Sequence, residues 1–132
     1  MEIDQLTGTI IECAMRAHSV LGPGLLESVY ETCLKHELTK RGLRVESQVW
    51  LPVIYDGVKI DAGYKIDLLV EDTVVVELKA VEQILGLHKA QVLSYLKLGN
   101  KPVGLLINFN VVHLRDGIHR LVNRPRSASA GA

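Results

Sequence analysis

The chain has 132 residues, 48% of them apolar and 23% charged, and its 15 Lys and Arg cancel 15 Asp and Glu to a formal net charge of zero. That length suits one domain with one hydrophobic core, burying roughly two-thirds of the surface that the unfolded chain exposes. The cancelled charge excludes a bulk basic field for gripping nucleic acid, and no apolar run approaches the roughly 18 residues of a membrane span.

From Ile3 to Leu21 the apolar residues Ile3, Leu6, Ile10, Ala14, Ala17 and Leu21 recur at steps of three and four, which predicts an amphipathic helix. "GPG" at Gly22 to Gly24 breaks it, and a second helix is expected from about Pro23 to a glycine stop at Gly42. From Arg44 the period changes to strand-like alternation: "RVESQVWLPVIY", a turn at Asp56 and Gly57, "VKIDAGYKIDLLV", a turn near Glu71 and Asp72, then "TVVVELKA". These form an antiparallel meander, with Pro52 marking the first strand as an edge or as bent. "VEQILGLHKAQVLSYLKLG" returns to helical spacing and stops at Gly99, "KPVGLLINF" reads as a buried strand, and "VVHLRDGIHRLV" as a closing hairpin around Asp116 and Gly117. The domain is expected over residues 1–123, with a disordered tail over 124–132.

Cys13 and Cys33 lie in helical segments without CxxC or Cys/His spacing, so they read as buried free thiols rather than as zinc or iron–sulfur ligands. His18, His36, His113 and His119 are isolated and read as structural or surface residues. The N-terminus "MEIDQLTGTI" has no basic region followed by an apolar one, so a cytoplasmic protein without a membrane partner is expected.

The stretch "KIDLLVEDTVVVELKA", Lys65 to Ala80, sets acids among strand residues, and the turn inside it decides which side chains share a face. A two-residue loop leaves Asp67 and Glu77 on opposite faces. A three-residue loop, Glu71 to Thr73, pairs Val70 with Val74 and gathers Ile66, Leu68, Val70, Val74, Val76 and Leu78 on one side. The other side then holds Asp67 across from Glu77 and Lys65 across from Lys79, like charges about 5 Å apart at Cβ. A hard divalent cation such as Mg²⁺ removes that conflict, since it takes one or two protein carboxylates and completes its shell with water. A Glu-x-Lys pair alone arises about once by chance in a chain like this one, so Lys79 gains weight only from the face it shares with the acids.

Glu27 on the second helix, Asp67, Glu77-x-Lys79 and a helix bearing "QVLSY" (Gln91 to Tyr95) together resemble the PD-(D/E)XK, or restriction-endonuclease-like, nuclease superfamily. Within it, "GLLESVY", Gly24 to Tyr30, is similar to the signature of the small bacterial GxxExxY proteins. Ile66 stands where the superfamily's name has proline, and Lys65 where arginine is more usual. The resemblance implies an α/β fold with a restriction-endonuclease-like core of helix, three-stranded antiparallel meander, helix and strand, here with an extra N-terminal helix and a C-terminal hairpin. It implies Asp67 and Glu77 as metal ligands, Glu27 as a third acid reaching the metal directly or through water, and Lys79 as the catalytic lysine. Tyr30, His88, Gln91 and Tyr95 become substrate-binding or supporting residues, although Tyr30 reads better as core, and Glu27 also complements a helix dipole.

The activity so implied is Mg²⁺-dependent hydrolysis of phosphodiester bonds, with Mn²⁺ as substitute, in DNA ahead of RNA. The rival reading is a catalytically silent nuclease-fold subunit that binds or regulates within a larger nucleic-acid-processing assembly. A homodimer through the apolar strands "VWLPVIY" or "VGLLINF" is a further expectation.

Overall fold

The apolar stripe of the first segment makes a helix that buries one side. In the computed structural model, which describes residues 1–124, α1 runs Ile3–Leu21 and buries Leu6, Ile10, Cys13, Ala14 and Ala17. The second helix starts later than expected, because Gly24 takes a φ of 98° that no helix continues. Pro23 therefore sits in the connecting turn, and α2 spans Glu27–Lys40. Five strands, β1 (Val45–Tyr55), β2 (Val58–Val70), β3 (Val74–Lys79), β4 (Val103–Asn108) and β5 (Ile118–Val122), form one sheet in that order, with helix α3 (Gly86–Gly99) between β3 and β4. β3 and β4 run parallel through the α3 crossover, and the other neighbours run antiparallel. This is the expected order of helix, meander, helix and strand.

Local chemistry moves several boundaries. α3 begins at Gly86 rather than Val81, because the Asn108 side chain takes both backbone groups of Val81, accepting from its N–H at 3.1 Å and donating to its carbonyl at 2.8 Å. The closing hairpin is not folded within residues 111–122. Leu114–Gly117 is one 3₁₀ turn, and β5 pairs back onto β4 from Ile107–Ile118 to Val103–Val122. β4 is therefore internal, with all six residues buried, and offers no edge to a second copy; β1 is an edge strand. Asn123 is tied to Leu96, Lys101 and Pro102 carbonyls. The expected disordered tail falls, from residue 125 on, outside the described residues.

Two apolar clusters flank the sheet. Leu68, Val70, Val74, Val76, Leu78, Leu105 and Ile107 pack toward α1 and α2, whereas Leu69, Val75 and Leu106 meet Val92, Tyr95 and Leu96 of α3. Ile66, expected beside Leu68, instead packs with Leu51 on the α3 side. β1 makes the same change: Val45 leans on the α1/α2 cluster, and Val49 and Leu51 join the other. The change falls between the pairs Ser47–Leu68 and Val49–Ile66, at a rung where Gln48 has a φ of 53°. A left-handed residue there breaks the alternation of side chains on β1, and on β2 the change of face falls across Asp67. Further along, the register shifts between Leu51 and Val53, around Pro52.

Gly104 on β4 lets α3 approach the sheet. A Cβ there would stand 2.9 Å from Val92 Cγ1 and 3.3 Å from Leu96 Cδ2. Gly104→Ala is expected to lower the unfolding free energy by about 1–3 kcal/mol in urea titrations.

Candidate active site

The turn after β2 sets the geometry. Glu71 and Asp72 both take positive φ, the Thr73 N–H donates to the Val70 carbonyl at 3.0 Å, and Val70 pairs with Val74, the register of a three-residue loop. Pairing continues through Leu69–Val75 to Leu68–Val76 and then stops. The expected continuation, with Asp67 facing Glu77 and Lys65 facing Lys79 on an unbroken ladder, gives way to a fork. Across it the Asp67 N–H donates to Glu77 Oε1 at 2.9 Å, and the Leu78 N–H donates to Asp67 Oδ2 at 2.9 Å. Each carboxylate thus replaces a backbone carbonyl of its own strand. Lys65 turns to β1, where it pairs with Trp50 and holds its ammonium 4.2 Å from the ring centroid.

Glu77 is 5% exposed. Burial, then the Asp67 charge beside it, pushes its carboxyl up from 4.5 to about 8, against the pull of the Asp67 N–H and the Lys79 ammonium. Lys79 is half-buried and makes no ion pair within 4.0 Å among the described residues. From α3, Tyr95 reaches the same acids: its phenol is raised by burial and by the charge of Glu77. Gln91 donates to the Tyr95 hydroxyl at 3.0 Å, and the Tyr64 ring lies 6.0 Å from that of Tyr95. His88 serves its own helix, with Nδ1 accepting the Leu85 N–H at 2.9 Å.

On the α2 side the fork opens into a cleft of about 560 Å³ whose polar walls include Glu27, Glu31, Gln48 and Asp67. Glu27, the first residue of α2, accepts the Ala80 N–H at 3.3 Å, which joins the helix start to the end of β3. Tyr30 is fully buried and stacks on Phe109 at 4.5 Å. Its hydroxyl donates to the Gly22 carbonyl at 2.6 Å and accepts the Leu25 N–H at 3.1 Å, fastening the turn that presents Glu27. Glu31 and Gln48 are the residues that sequence reasoning missed. Glu31 accepts the Gln48 amide at 2.7 Å and is raised by burial and by the charges of Asp67 and Glu27. Its signal was the four-residue spacing from Glu27, which puts both on one helical face. Nothing in strand periodicity marked Gln48.

A family model described as the PD-(D/E)XK nuclease superfamily matches residues 4–121. The chain belongs to the PD-(D/E)XK nuclease superfamily. Its mixed α/β architecture agrees with the restriction-endonuclease-like fold of that superfamily. No curated protein and no solved structure matches it. Among the described residues no helix is long and apolar enough to cross a membrane.

PD-(D/E)XK nucleases generally use divalent metals, and the fork suits a hard cation in its donor chemistry. With Asp67 Oδ2 and Glu77 Oε1 committed to backbone N–H groups, Asp67 Oδ1, which the Gln48 amide approaches at 3.5 Å, and Glu77 Oε2 are the oxygens that would face an ion taking one or two carboxylates and water. The three acids expected as ligands do not close into one cage, since among the described residues no group of three His, Cys, Asp or Glu side chains converges for a metal. Asp67 and Glu77 meet, while Glu27 stands on the cleft wall.

Two outcomes follow for the metal-free protein. A folded-state pKa near 8 means that native Glu77 keeps a proton that the unfolded chain releases near 4.5. That stability is full below about pH 4.5 and is lost as pH rises through about 8, by about 3–5 kcal/mol at most. Denaturant titrations in chelator at pH 4.5, 6 and 8 are expected to show this fall, and Glu77→Gln to flatten it. Tyr30→Phe is expected to cost about 1–3 kcal/mol in the same titrations, because the Leu25 N–H loses its acceptor.

Proposed function

We propose that the chain is a Mg²⁺-dependent nuclease that hydrolyses phosphodiester bonds of DNA, with RNA the less favoured substrate and the cytoplasm its setting. The observation that carries this is the fork: two carboxylates on diverging strands, one of them held near a lysine and deeply buried, in a chain of the nuclease superfamily. A buried acid pair disfavours its own ionisation, and a doubly charged ion reverses that preference.

In this reading Asp67 and Glu77 hold the ion, and Glu27 reaches it directly or through water. When bound, Mg²⁺ lowers the pKa of water and screens the phosphate. Lys79 supplies the protein's own cation, placed to stabilise negative charge that develops on the phosphate oxygens. Gln91 and Tyr95, joined by their hydrogen bond, brace the acids from the α3 side, and His88 keeps the start of that helix in place. The rival, a silent nuclease-fold subunit of a larger assembly, draws on one observation: the acids do not close into a three-ligand cage among the described residues. Of the two strands expected to pair in a homodimer, only β1 lies at an edge of the sheet.

The deciding assay incubates purified protein with Mg²⁺ or Mn²⁺ and single-stranded, linear duplex, supercoiled and branched DNA. Cleavage is expected, abolished by chelator and reduced by about 10²-fold or more in Asp67→Ala and Lys79→Ala. A wild type that cuts nothing, or variants that cut equally well, would remove the nuclease reading in favour of the silent subunit.

A further inference from the structure

Gln48 has a φ of 53° although it lies inside a strand, and its neighbours Ser47 and Val49 stay in register with Leu68 and Ile66. Residues other than glycine rarely occupy that region, and they hold it where the surroundings impose it, often at functional sites. Here the surroundings are two carboxylates from different elements. The Gln48 amide donates to Glu31 Oε1 of α2 at 2.7 Å and reaches Asp67 Oδ1 of β2 at 3.5 Å. Only the NH₂ end can face both, since the amide carbonyl would meet two acceptors.

Resting on the nuclease reading above, we infer that Gln48 is a positioning residue for the metal site: its amide is a neutral strut that spaces Glu31 from Asp67 and aims Asp67 Oδ1 toward the ion. The chemistry of the residue fits that task. A lysine or arginine in its place would pair with the acids and compete with the cation, and an acid would add a third repulsion. An amide gives both carboxylates a donor without adding charge. The nearest cation on α2 is already engaged, as Lys35 Nζ donates to the Ser47 hydroxyl at 2.7 Å. The Asp67 oxygen that the strut touches is also the one not bonded to Leu78. Were the residue needed only to turn the strand, glycine, which takes positive φ freely, would serve better.

That contrast defines the test. Gln48→Gly relaxes the backbone and removes the amide, so the variant is expected to melt at or above the wild-type temperature. Its Mn²⁺ affinity, read from the electron paramagnetic resonance of the free ion, is expected to fall about 10–100-fold, the usual effect of losing a partner that orients a ligand. Made in a Glu31→Gln background, where no second acid has to be spaced, the same substitution is expected to cost less than about threefold. Gln48→Asn, which also tolerates positive φ but is one carbon shorter, should lose affinity as Gln48→Gly does and carries the test if the glycine variant does not fold. Wild-type protein that binds no Mn²⁺ would overturn the nuclease reading and this inference together. Wild type that binds, with Gln48→Gly within about twofold of it, would overturn the inference and leave the nuclease reading standing. An equal loss with and without Glu31 would also overturn it, since the strut would then not act between the two acids.

Discussion

Where β2 and β3 part company, each strand's acid takes over a hydrogen bond that the other strand's backbone would otherwise lose. The Asp67 N–H needs an acceptor once the ladder has stopped at Leu68–Val76, and Glu77 supplies it; the Leu78 N–H has the same need, and Asp67 supplies that one. A buried backbone donor without a partner is costly. The fork therefore cannot be built from apolar side chains, and once it is built from carboxylates it brings two acids into one half-dry space. Most of the electrostatics of the site follow from that constraint, including the raised carboxyl of Glu77 and the raised phenol of Tyr95.

The rest of the architecture holds the fork in place. Below it, Leu68, Val70, Val74 and Val76 are locked against α1 and α2, and Leu69 and Val75 against α3, so the two strands cannot slide. Above it, β1 changes face at Gln48 and β2 across Asp67, which directs Ile66 and Leu51 under α3 and leaves the α2 side open as a cleft. Tyr30 fastens the α1–α2 turn so that Glu27 meets Ala80 at the end of β3. Residues from both helical layers thereby reach one point of the sheet. The superfamily match over residues 4–121 spans all of the residues that converge here.

Much of this was legible in the sequence because it rests on periodicity. The span Ile3–Leu21 follows from apolar residues three and four apart, and the three-residue loop follows from asking which register sorts oily residues from charged ones. What periodicity cannot show is a place where the chain departs from it. Alternation puts Ile66 on the face of Leu68, and it lies on the other because nothing in "ESQVW" announces a left-handed Gln48. The fork is hidden from the sequence for a related reason: alternation places two side chains opposite each other, but not one side chain across the other strand's backbone. Val81 to Leu85 carry helical spacing yet stay outside the helix, since Asn108, far away in sequence, takes both hydrogen-bonding groups of Val81. Glu31 could have been found from its spacing to Glu27; the partner that bridges it to Asp67 could not.

On the nuclease reading proposed above, the Asp67–Glu77 fork holds a divalent cation. Crystals grown in saturating Mn²⁺ and measured at a wavelength where manganese scatters anomalously test it most directly. An anomalous peak is expected within coordination distance of one oxygen from each of Asp67 and Glu77, with Glu27 turned toward it. Crystals with no anomalous peak beside those two carboxylates would contradict that cation site.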